Sequence, residues 1–165
     1  VLVEKGIREY WDAAIEVKRK YPEVEFYFLG GRREDIFRLV GAEKIGAVKA
    51  LGTVPDVRDA IRESHCVVLP SYREGAPRVL LEGMAMGRPI VTTDVPGCRQ
   101  LVAGRGSGIM CAAQSSDALL GALCQVMTMD IKTLQTMGTR GREIVEREFS
   151  VERVVACYLK ALLRS

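Results

Sequence analysis

The sequence predicts an α/β fold, specifically a Rossmann-like, doubly wound parallel sheet with helices on both faces. Two observations support this prediction: short apolar runs without polar alternation recur along the chain, and segments of helical periodicity separate them. Strands that are apolar on both sides are typical of a parallel sheet covered on both faces. The length of 165 residues fits one domain, so residues 1–165 are predicted to form a single unit.

The elements follow from local pattern. The predicted strands are apolar runs bounded by glycine, proline or a polar turn: 25–30, 48–51, 66–69, 89–93 and 108–111. The predicted helices have apolar residues three and four positions apart: 6–21, 35–40, 56–63, 77–86, 117–127, 131–148 and 151–163. We expect Asp56 to cap the third helix and Pro77 to lie in the first turn of the fourth. The last helix has one continuous apolar stripe.

Composition excludes several classes of partner. The chain has 24 Lys and Arg residues against 21 Asp and Glu, a net charge of +3 that is scattered and not gathered into a stripe, and aromatic residues make up only 6%. Both features argue against a nucleic-acid partner. No apolar run reaches the roughly 18 residues of a membrane span, and the first ten residues are too charged for a signal peptide. The sequence therefore predicts a soluble, cytoplasmic chain.

The cysteines and the single histidine limit the available chemistry. The five cysteines are widely spaced and form no C-x-x-C pair: Cys66, Cys98, Cys111, Cys124 and Cys157. We interpret them as reduced core thiols and not as disulfides or metal ligands. With His65 as the one histidine, a zinc site or a Ser-His-Asp triad is difficult to assemble, and His65 is expected to be a wall residue and not a base.

Ligands of open parallel sheets bind beyond the carboxyl ends of the strands. Four predicted loops lie at such ends: 30–33, 52–56, 70–77 and 93–97. The chain has no Gly-Lys pair for a P-loop and no G-x-G-x-x-G after a strand, which weakens ATPase and NAD-binding interpretations. It also lacks the Asp-x-Asp arrangement that holds a metal against a diphosphate, so side-chain cations and backbone amides would have to neutralise any diphosphate.

The segment PSYREGAPRVLLEGMAMGRPIV, residues 70–91, contains the most informative pattern. A polar loop with Glu74 leads into a helix whose free first-turn amides, those of Arg78 and Val79, offer a site for an anion. Glu82 lies two turns into that helix, so the two carboxylates are about 10 Å apart at about 1.5 Å per residue. A glycosidase pair spans about 5–9.5 Å. The spacing fits two carboxylates that bind different hydroxyls of one long ligand; alternatively, Glu82 caps a local amide and Glu74 is a solvated charge.

The string EGAPRVLLEGMAMGRPIVTTDVPG, residues 74–97, resembles the E-x7-E signature of the group 1 (GT4) retaining glycosyltransferases, which have the two-domain GT-B architecture. Further likenesses appear in order along nearly the whole chain: EKG at 4–6, LGG at 29–31, GTV at 52–54, VLPS at 68–71 and SG at 107–108. The resemblance implies that residues 1–165 are the C-terminal donor-binding domain. It also implies that the N-terminal acceptor-binding domain is absent from this chain.

The resemblance assigns catalytic roles to Glu74 and Lys5. Glu74 would accept hydrogen bonds from the donor sugar, with the amides of Gly75 and Ala76 beside it, and Lys5 would balance the charge on the leaving diphosphate. Taken alone, a lysine next to a glutamate is usually a solvated surface residue. The family often has E-G-F-G where this chain has Ala76 and Pro77. That variant resembles the subset that assembles polysaccharides and lipid-linked oligosaccharides.

The same resemblance assigns donor contacts on the following helix. Glu82 would bind the ribose hydroxyls, and the amides of Arg78 and Val79 would bind the diphosphate, while the loop 52–55 would frame the base. The remaining predicted binding residues follow the first two strands: Gly30, Gly52 and Val54. Arg73 and Arg78 are each interpretable as phosphate contacts or as surface charges. The Gly-Arg that usually precedes Lys-Gly is not in the chain, so a second diphosphate cation is not assigned.

The implied function is transfer of a sugar from a nucleotide diphosphate, expected to be UDP, to an acceptor hydroxyl in polysaccharide, lipopolysaccharide or lipid-linked oligosaccharide assembly. The expected mechanism is retaining, with no metal and no cofactor, and the isolated chain is expected to be inactive. The acceptor, a glycan or lipid-linked sugar, would be held by the missing domain. Peripheral association of the full-length protein with the inner face of a membrane is compatible with this function. Two alternatives remain: a UDP-sugar epimerase-like domain of the same architecture, and a catalytically silent nucleotide-binding or scaffold domain.

Overall fold

The computed structural model describes residues 3–163 of the chain. Its strands are β1 (Tyr27–Leu29), β2 (Lys49–Gly52), β3 (Val67–Leu69), β4 (Ile90–Thr93) and β5 (Gly108–Cys111). Its α-helices are α1 (Ile7–Lys20), α2 (Arg33–Val40), α3 (Arg58–Glu63), α4 (Arg78–Ala85), α5 (Pro96–Val102), α6 (Ser116–Thr128), α7 (Ile131–Glu148) and α8 (Val151–Leu162). Single 3-10 turns occur at Val3–Lys5 and Ile45–Ala47. Every predicted strand and helix is present, with small shifts at its ends.

All strand pairs are parallel, as predicted, but the described strands pair in two groups. One sheet has the order β1-β2 and the other the order β3-β4-β5. In the second sheet, Ile90 lies opposite Val67 on one side and opposite Gly108 on the other. At β1, the hydroxyl of Tyr10 from α1 donates a 3.0 Å hydrogen bond to the Tyr27 carbonyl, so a side chain satisfies this strand acceptor.

Helices cover both faces of the β3–β5 sheet, which confirms the doubly wound prediction. Val91 of β4 packs with Trp11 of α1 and with residues of α6 in one buried cluster. Its neighbour Ile90 packs with Leu80 of α4 and with residues of α5 and α7 in a second cluster. Successive strand residues point to opposite faces, and because both faces are covered, all four residues of β4 are buried, including Thr92 and Thr93.

Three local predictions were wrong. The segment 93–97 was predicted as a loop, but α5 begins at Pro96, which occupies the first helical position. Asp56 does not occupy the cap position of α3, which Val57 takes; instead Asp56 accepts a 2.9 Å hydrogen bond from the Arg58 amide. Pro77 precedes α4 as its cap residue and is not part of the first turn.

The last helix, α8, is present as predicted, and its side chains are exposed. The residues of its apolar stripe are accordingly exposed to solvent: Val151, Val154, Val155, Tyr158, Leu159 and Leu162. The five cysteines are free thiols, but the expectation that all of them lie in the core was wrong for Cys157, which is exposed on α8. Within residues 3–163, no helix is both long enough and apolar enough to cross a membrane.

Candidate functional site

The two residues that the sequence assigned to catalysis form an ion pair. The Lys5 ammonium lies 2.6 Å from Oε1 of Glu74, although 69 residues separate them. The Glu74 side chain is 11% exposed and the Lys5 side chain 44% exposed. The carboxylate is therefore largely enclosed by protein, while its cationic partner remains open to solvent and to a ligand.

Backbone contacts fix the segment that carries Lys5. Gly6 has a left-handed φ of 68°, and a Cβ there would lie 2.1 Å from the Pro70 carbonyl oxygen. The Tyr72 amide donates a 2.8 Å hydrogen bond to the Glu4 carbonyl. The glycine at position 6 is thus explained by structure, because only glycine allows this close approach to the loop after β3.

Two further side-chain contacts join the same segments. Arg73 forms an ion pair with Glu4 at 2.6 Å. From the sequence, Arg73 was interpretable either as a phosphate contact or as a surface charge. The Tyr72 hydroxyl donates to Oε1 of Glu9 on α1 at 2.6 Å. Burial, together with the Glu9 carboxylate, raises the pKa of Tyr72 to about 12. Sequence reasoning missed Tyr72 and Glu9, because nothing in either local pattern indicates a contact across 63 positions.

The first turn of α4 has the open amides that were predicted. The Pro77 carbonyl accepts from Leu80 and Leu81, whereas the amides of Arg78 and Val79 donate no hydrogen bond within the part of the chain that is described. Gly75 and Ala76, just before them, are exposed. Backbone N–H groups at a helix start attract anions, so this stretch is electrostatically suited to a phosphate group.

Glu82 lies farther along α4, and its side chain is 36% exposed. The guanidinium of Arg78, one turn earlier, lies 3.7 Å from Oε1 of Glu82 and is itself highly exposed. Such an exposed pair is weak and easily rearranged. Glu82 therefore retains acceptor capacity for hydroxyl groups of a ligand.

Gly30, Gly52 and Val54 lie at the carboxyl ends of β1 and β2. The Gly30 amide donates a 2.7 Å hydrogen bond to the Gly52 carbonyl, which joins the two predicted glycines. Both have left-handed φ values, 102° and 70°, and Val54 is half-buried in the loop that follows. No hydrogen bond or ion pair connects this group to Glu74 or Glu82 among the described residues.

Residues of β4 and α5 donate hydrogen bonds to the Glu74 loop and to the end of β3 that precedes it. The Thr92 hydroxyl donates to the Leu69 carbonyl at 2.8 Å, and the Thr93 hydroxyl donates to the Ser71 carbonyl. At the start of α5, the Gly97 amide donates to the Glu74 carbonyl at 3.1 Å. Thr92, Thr93 and Gly97 lie within the motif string of residues 74–97, and no role was predicted for them. A possible signal was the threonine pair at the strand end, where hydroxyls reach neighbouring carbonyls.

Other features of the surface do not join this site. His65 is exposed just before β3, at the opposite end of that strand from the Glu74 loop, so the expectation of a wall residue was wrong. Two open clefts of about 330 Å³ each lie along α7 and are lined by none of the predicted site residues. Within residues 3–163, no three His, Cys, Asp or Glu side chains are grouped so that they could hold a metal ion.

The carboxylate of Glu74, the cation of Lys5 and the open amides of α4 together form a polar site that is suited to an anionic, hydroxyl-bearing ligand. Known proteins provide an independent comparison. Residues 1–129 match the sequence profile of the family described as Glycosyl transferases group 1. The chain is 32% identical over 120 residues to the N,N'-diacetylbacillosaminyl-diphospho-undecaprenol alpha-1,3-N-acetylgalactosaminyltransferase of Campylobacter jejuni. That match covers 72% of this chain and 31% of the relative, so the chain spans about a third of its length.

Solved structures share the fold. HepE of Anabaena, in complex with UDP and glucose, superposes with a TM-score of 0.86 at 21% identity, covering 98% of this chain and 46% of HepE. The C-terminal domain of LpcC, a group 1 family protein from Francisella tularensis, superposes with a TM-score of 0.77 at 20% identity, covering 92% of this chain and 83% of that one. These likenesses confirm the predicted Rossmann-like fold of a GT-B glycosyltransferase. Together with the profile match, they lead to one conclusion: the chain belongs to the group 1 glycosyltransferases.

Proposed function

We propose that this chain is the domain of a glycosyltransferase that binds the nucleotide-diphosphate sugar, with UDP as the nucleotide. The observation that carries the proposal is the Lys5–Glu74 pair, which lies beside the open first turn of α4. The carboxylate suits the sugar hydroxyls of such a donor. The cation and the free amides suit the two negatively charged phosphate groups of its diphosphate. The UDP and glucose named for HepE support the choice of nucleotide.

Each charged group has a distinct role in the proposal. Glu74 accepts hydrogen bonds from sugar hydroxyls, because an ionised carboxylate is an acceptor only. The ammonium of Lys5 has three N–H donors, so it can keep its contact with Glu74 and still donate to a phosphate oxygen. The amides of Arg78 and Val79 donate to the diphosphate, and Glu82 accepts from the ribose hydroxyls.

In the reaction, the bond between the anomeric carbon and the phosphate oxygen breaks, and its electron pair leaves with the diphosphate. The acceptor oxygen bonds to the same carbon, and its proton passes to a diphosphate oxygen, the anion nearest the reacting centre. Lys5 and the α4 amides stabilise the charge that develops on the leaving group. We infer independence from metal ions, because these residues can neutralise the diphosphate without an added cation. Retention of configuration is proposed on the resemblance of residues 74–97 to the signature of the retaining family alone.

The acceptor requires groups outside this chain. We assign acceptor binding to an N-terminal domain of the full-length protein, which would orient the acceptor hydroxyl and exclude water. Orientation of this kind accounts for about 7–11 kcal/mol of an activation barrier. The name of the Campylobacter relative includes a diphospho-undecaprenol, which supports a lipid-linked acceptor as the class to test. Residues 1–165 alone are expected to bind donor and transfer nothing.

A titration of the 165-residue chain with UDP, GDP and ADP, with and without EDTA, tests the proposal. UDP is expected to bind with a dissociation constant between about 10 µM and 1 mM, which corresponds to about 4–7 kcal/mol. Calorimetry measures it directly, and thermal shift checks it, because a ligand of the folded state alone raises stability. Equal binding of all three nucleotides, absence of binding, or a requirement for Mg²⁺ or Mn²⁺ would contradict the proposal.

A transfer assay with the full-length protein separates the remaining alternatives. A transferase converts donor and acceptor into a glycosylated product, and proton NMR of that product reports the anomeric configuration. An epimerase-like protein would instead change the donor sugar without an acceptor. A silent scaffold domain would bind UDP and do neither.

A further inference from the structure

Gly97 is in contact with the backbone that carries Glu74. It is the second residue of α5, and it is buried. A Cβ at this position would lie 2.5 Å from the Glu74 carbonyl oxygen, 2.5 Å from the Gly75 carbonyl oxygen and 2.8 Å from the Glu74 carbonyl carbon. All three are backbone atoms, so no side-chain rotation could relieve the overlap.

Lack of space for a side chain, and not backbone conformation, requires glycine at position 97. Gly97 lies within a helix, and its φ is outside the left-handed region that favours glycine. Alanine is about 0.5–1 kcal/mol better than glycine in a helix. The close approach of the Glu74–Gly75 backbone is therefore the feature that excludes a side chain at position 97.

The amide of Gly97 also holds this backbone. It donates a 3.1 Å hydrogen bond to the Glu74 carbonyl, so one of the unpaired N–H groups at the start of α5 is satisfied by the loop itself. Val95, the residue just before α5, is buried in the second apolar cluster and anchors this end of the helix. Glu74 is thus held from two sides: its carboxylate by Lys5 and its peptide group by Gly97.

We infer that Gly97 is a positioning residue for Glu74: its missing side chain and its amide together fix the Glu74–Gly75 peptide, and through it the carboxylate that faces the donor sugar. The sugar-binding role of Glu74 rests on the function proposed above, whereas the fixing of the loop does not. A side chain at position 97 would push the loop away from α5. Glu82 lies on α4, and no hydrogen bond or ion pair joins its side chain to Glu74 or Gly97 among the described residues, so its binding of ribose would be preserved.

The test compares Gly97→Ala with Gly108→Ala, a matched control. A Cβ at Gly108 would lie 2.3 Å from the Ile90 carbonyl oxygen, an overlap of the same severity, but at the start of β5 and away from the Glu74 loop. Calorimetry gives the affinity of each variant for UDP and for UDP-glucose. Hydrogen exchange of the ligand-free chain gives the protection of the Tyr72 amide, which reports the loop, and of the Ile90 amide, which reports the sheet.

Gly97→Ala is expected to reduce the ratio of UDP-glucose affinity to UDP affinity by about tenfold or more, the usual effect of losing a hydrogen bond to a charged group. UDP affinity itself should change by less than about threefold on the same scale. Exchange should accelerate at Tyr72 and not at Ile90. Gly108→Ala should show the reverse exchange pattern and leave the affinity ratio unchanged. In a Glu74→Ala background, Gly97→Ala should cause no further loss of the ratio, because it acts through Glu74.

An equal effect of the two glycine variants on the ratio would overturn the inference, because it would show a purely structural role for Gly97. If wild-type chain bound neither ligand, the proposed function would be wrong, and the exchange pattern alone would still decide whether Gly97 fixes the loop. If Gly97→Ala did not fold, Val95→Ala, which loosens the start of α5 by removing two methyl groups, would replace it. Unchanged exchange at Tyr72 in that variant would also overturn the inference.

Discussion

Gly6 and Gly97 differ from Gly30 and Gly52 in what surrounds them, although all four lie beside predicted ligand loops. A Cβ at Gly6 or Gly97 would lie within 2.1–2.5 Å of backbone oxygens of the segment from Pro70 to Gly75. A Cβ at Gly30 or Gly52 would meet nothing within 4 Å, and those residues need glycine only for their left-handed φ. Packing requires glycine at both members of the first pair, in addition to a left-handed φ at Gly6, whereas local backbone conformation alone requires it at the second pair.

This difference indicates how the two sides of the site are built. The loop that carries Glu74 is held by Lys5, by the amide of Gly97 and by the hydroxyl of Thr93, while Thr92 holds the end of β3 just before it. The loops after β1 and β2 are joined to each other by one backbone hydrogen bond, and the space around their glycines is open. In the proposed donor complex, a fixed loop suits the reacting end of the donor, where geometry controls rate, and an open one suits the end that only binds.

Substitution at Gly6 should have the largest effect on stability. Gly6→Ala combines a left-handed φ, which costs about 1–2 kcal/mol for alanine, with overlap on the Pro70 carbonyl, which adds about 1–3 kcal/mol. Gly30→Ala has only the first cost. Urea unfolding of both variants measures the difference. Similar losses at the two positions would show that close packing at Gly6 does not matter, and the comparison would fail.

Removal of the two carboxylates should separate binding of the nucleotide from binding of the sugar. Glu82→Ala is expected to weaken UDP binding by about ten- to a hundredfold, since a hydrogen bond to a charged group contributes about 1.5–3 kcal/mol. Glu74→Ala should leave UDP binding nearly unchanged and remove the additional affinity for the sugar-bearing donor. Calorimetry with UDP and UDP-glucose is the measurement, with Glu63→Ala on the exposed end of α3 as control. Equal loss of UDP affinity in both variants would refute this division of roles.

The smallest expected effect concerns Tyr72 and alkaline pH. Its pKa is raised from 10.0 to about 12 by burial and by Glu9, so the folded chain keeps this proton at pH values where the unfolded chain has lost it. The stabilisation is complete below pH 10 and is lost as the pH rises toward about 12. The difference in unfolding free energy between wild-type and Tyr72→Phe should therefore shrink above pH 10. Tyr158→Phe, on exposed α8, is the control, and a constant difference for Tyr72→Phe across this range would contradict the assignment.

Local pattern was sufficient for most of the secondary structure. The apolar run at β3 and the helical spacing at α1 are properties of short stretches, and the structure has both where they were predicted. The helix α5 was missed because it is short and begins with Pro96 and Gly97, a pair typical of turns. Its buried residues, among them Leu101, stabilise it through contacts that no local pattern reports.

The candidate site divides in the same way. The sequence by itself determined which residue types follow which strands, and the E-x7-E resemblance selected Glu74, Glu82 and Lys5 among them. Only the tertiary structure decided that Lys5 reaches Glu74 across 69 positions and that Gly97 supports the peptide of Glu74. The physical reason is range: hydrophobic periodicity and turn preference act over a few residues, whereas ion pairs and close backbone contacts depend on how distant segments pack.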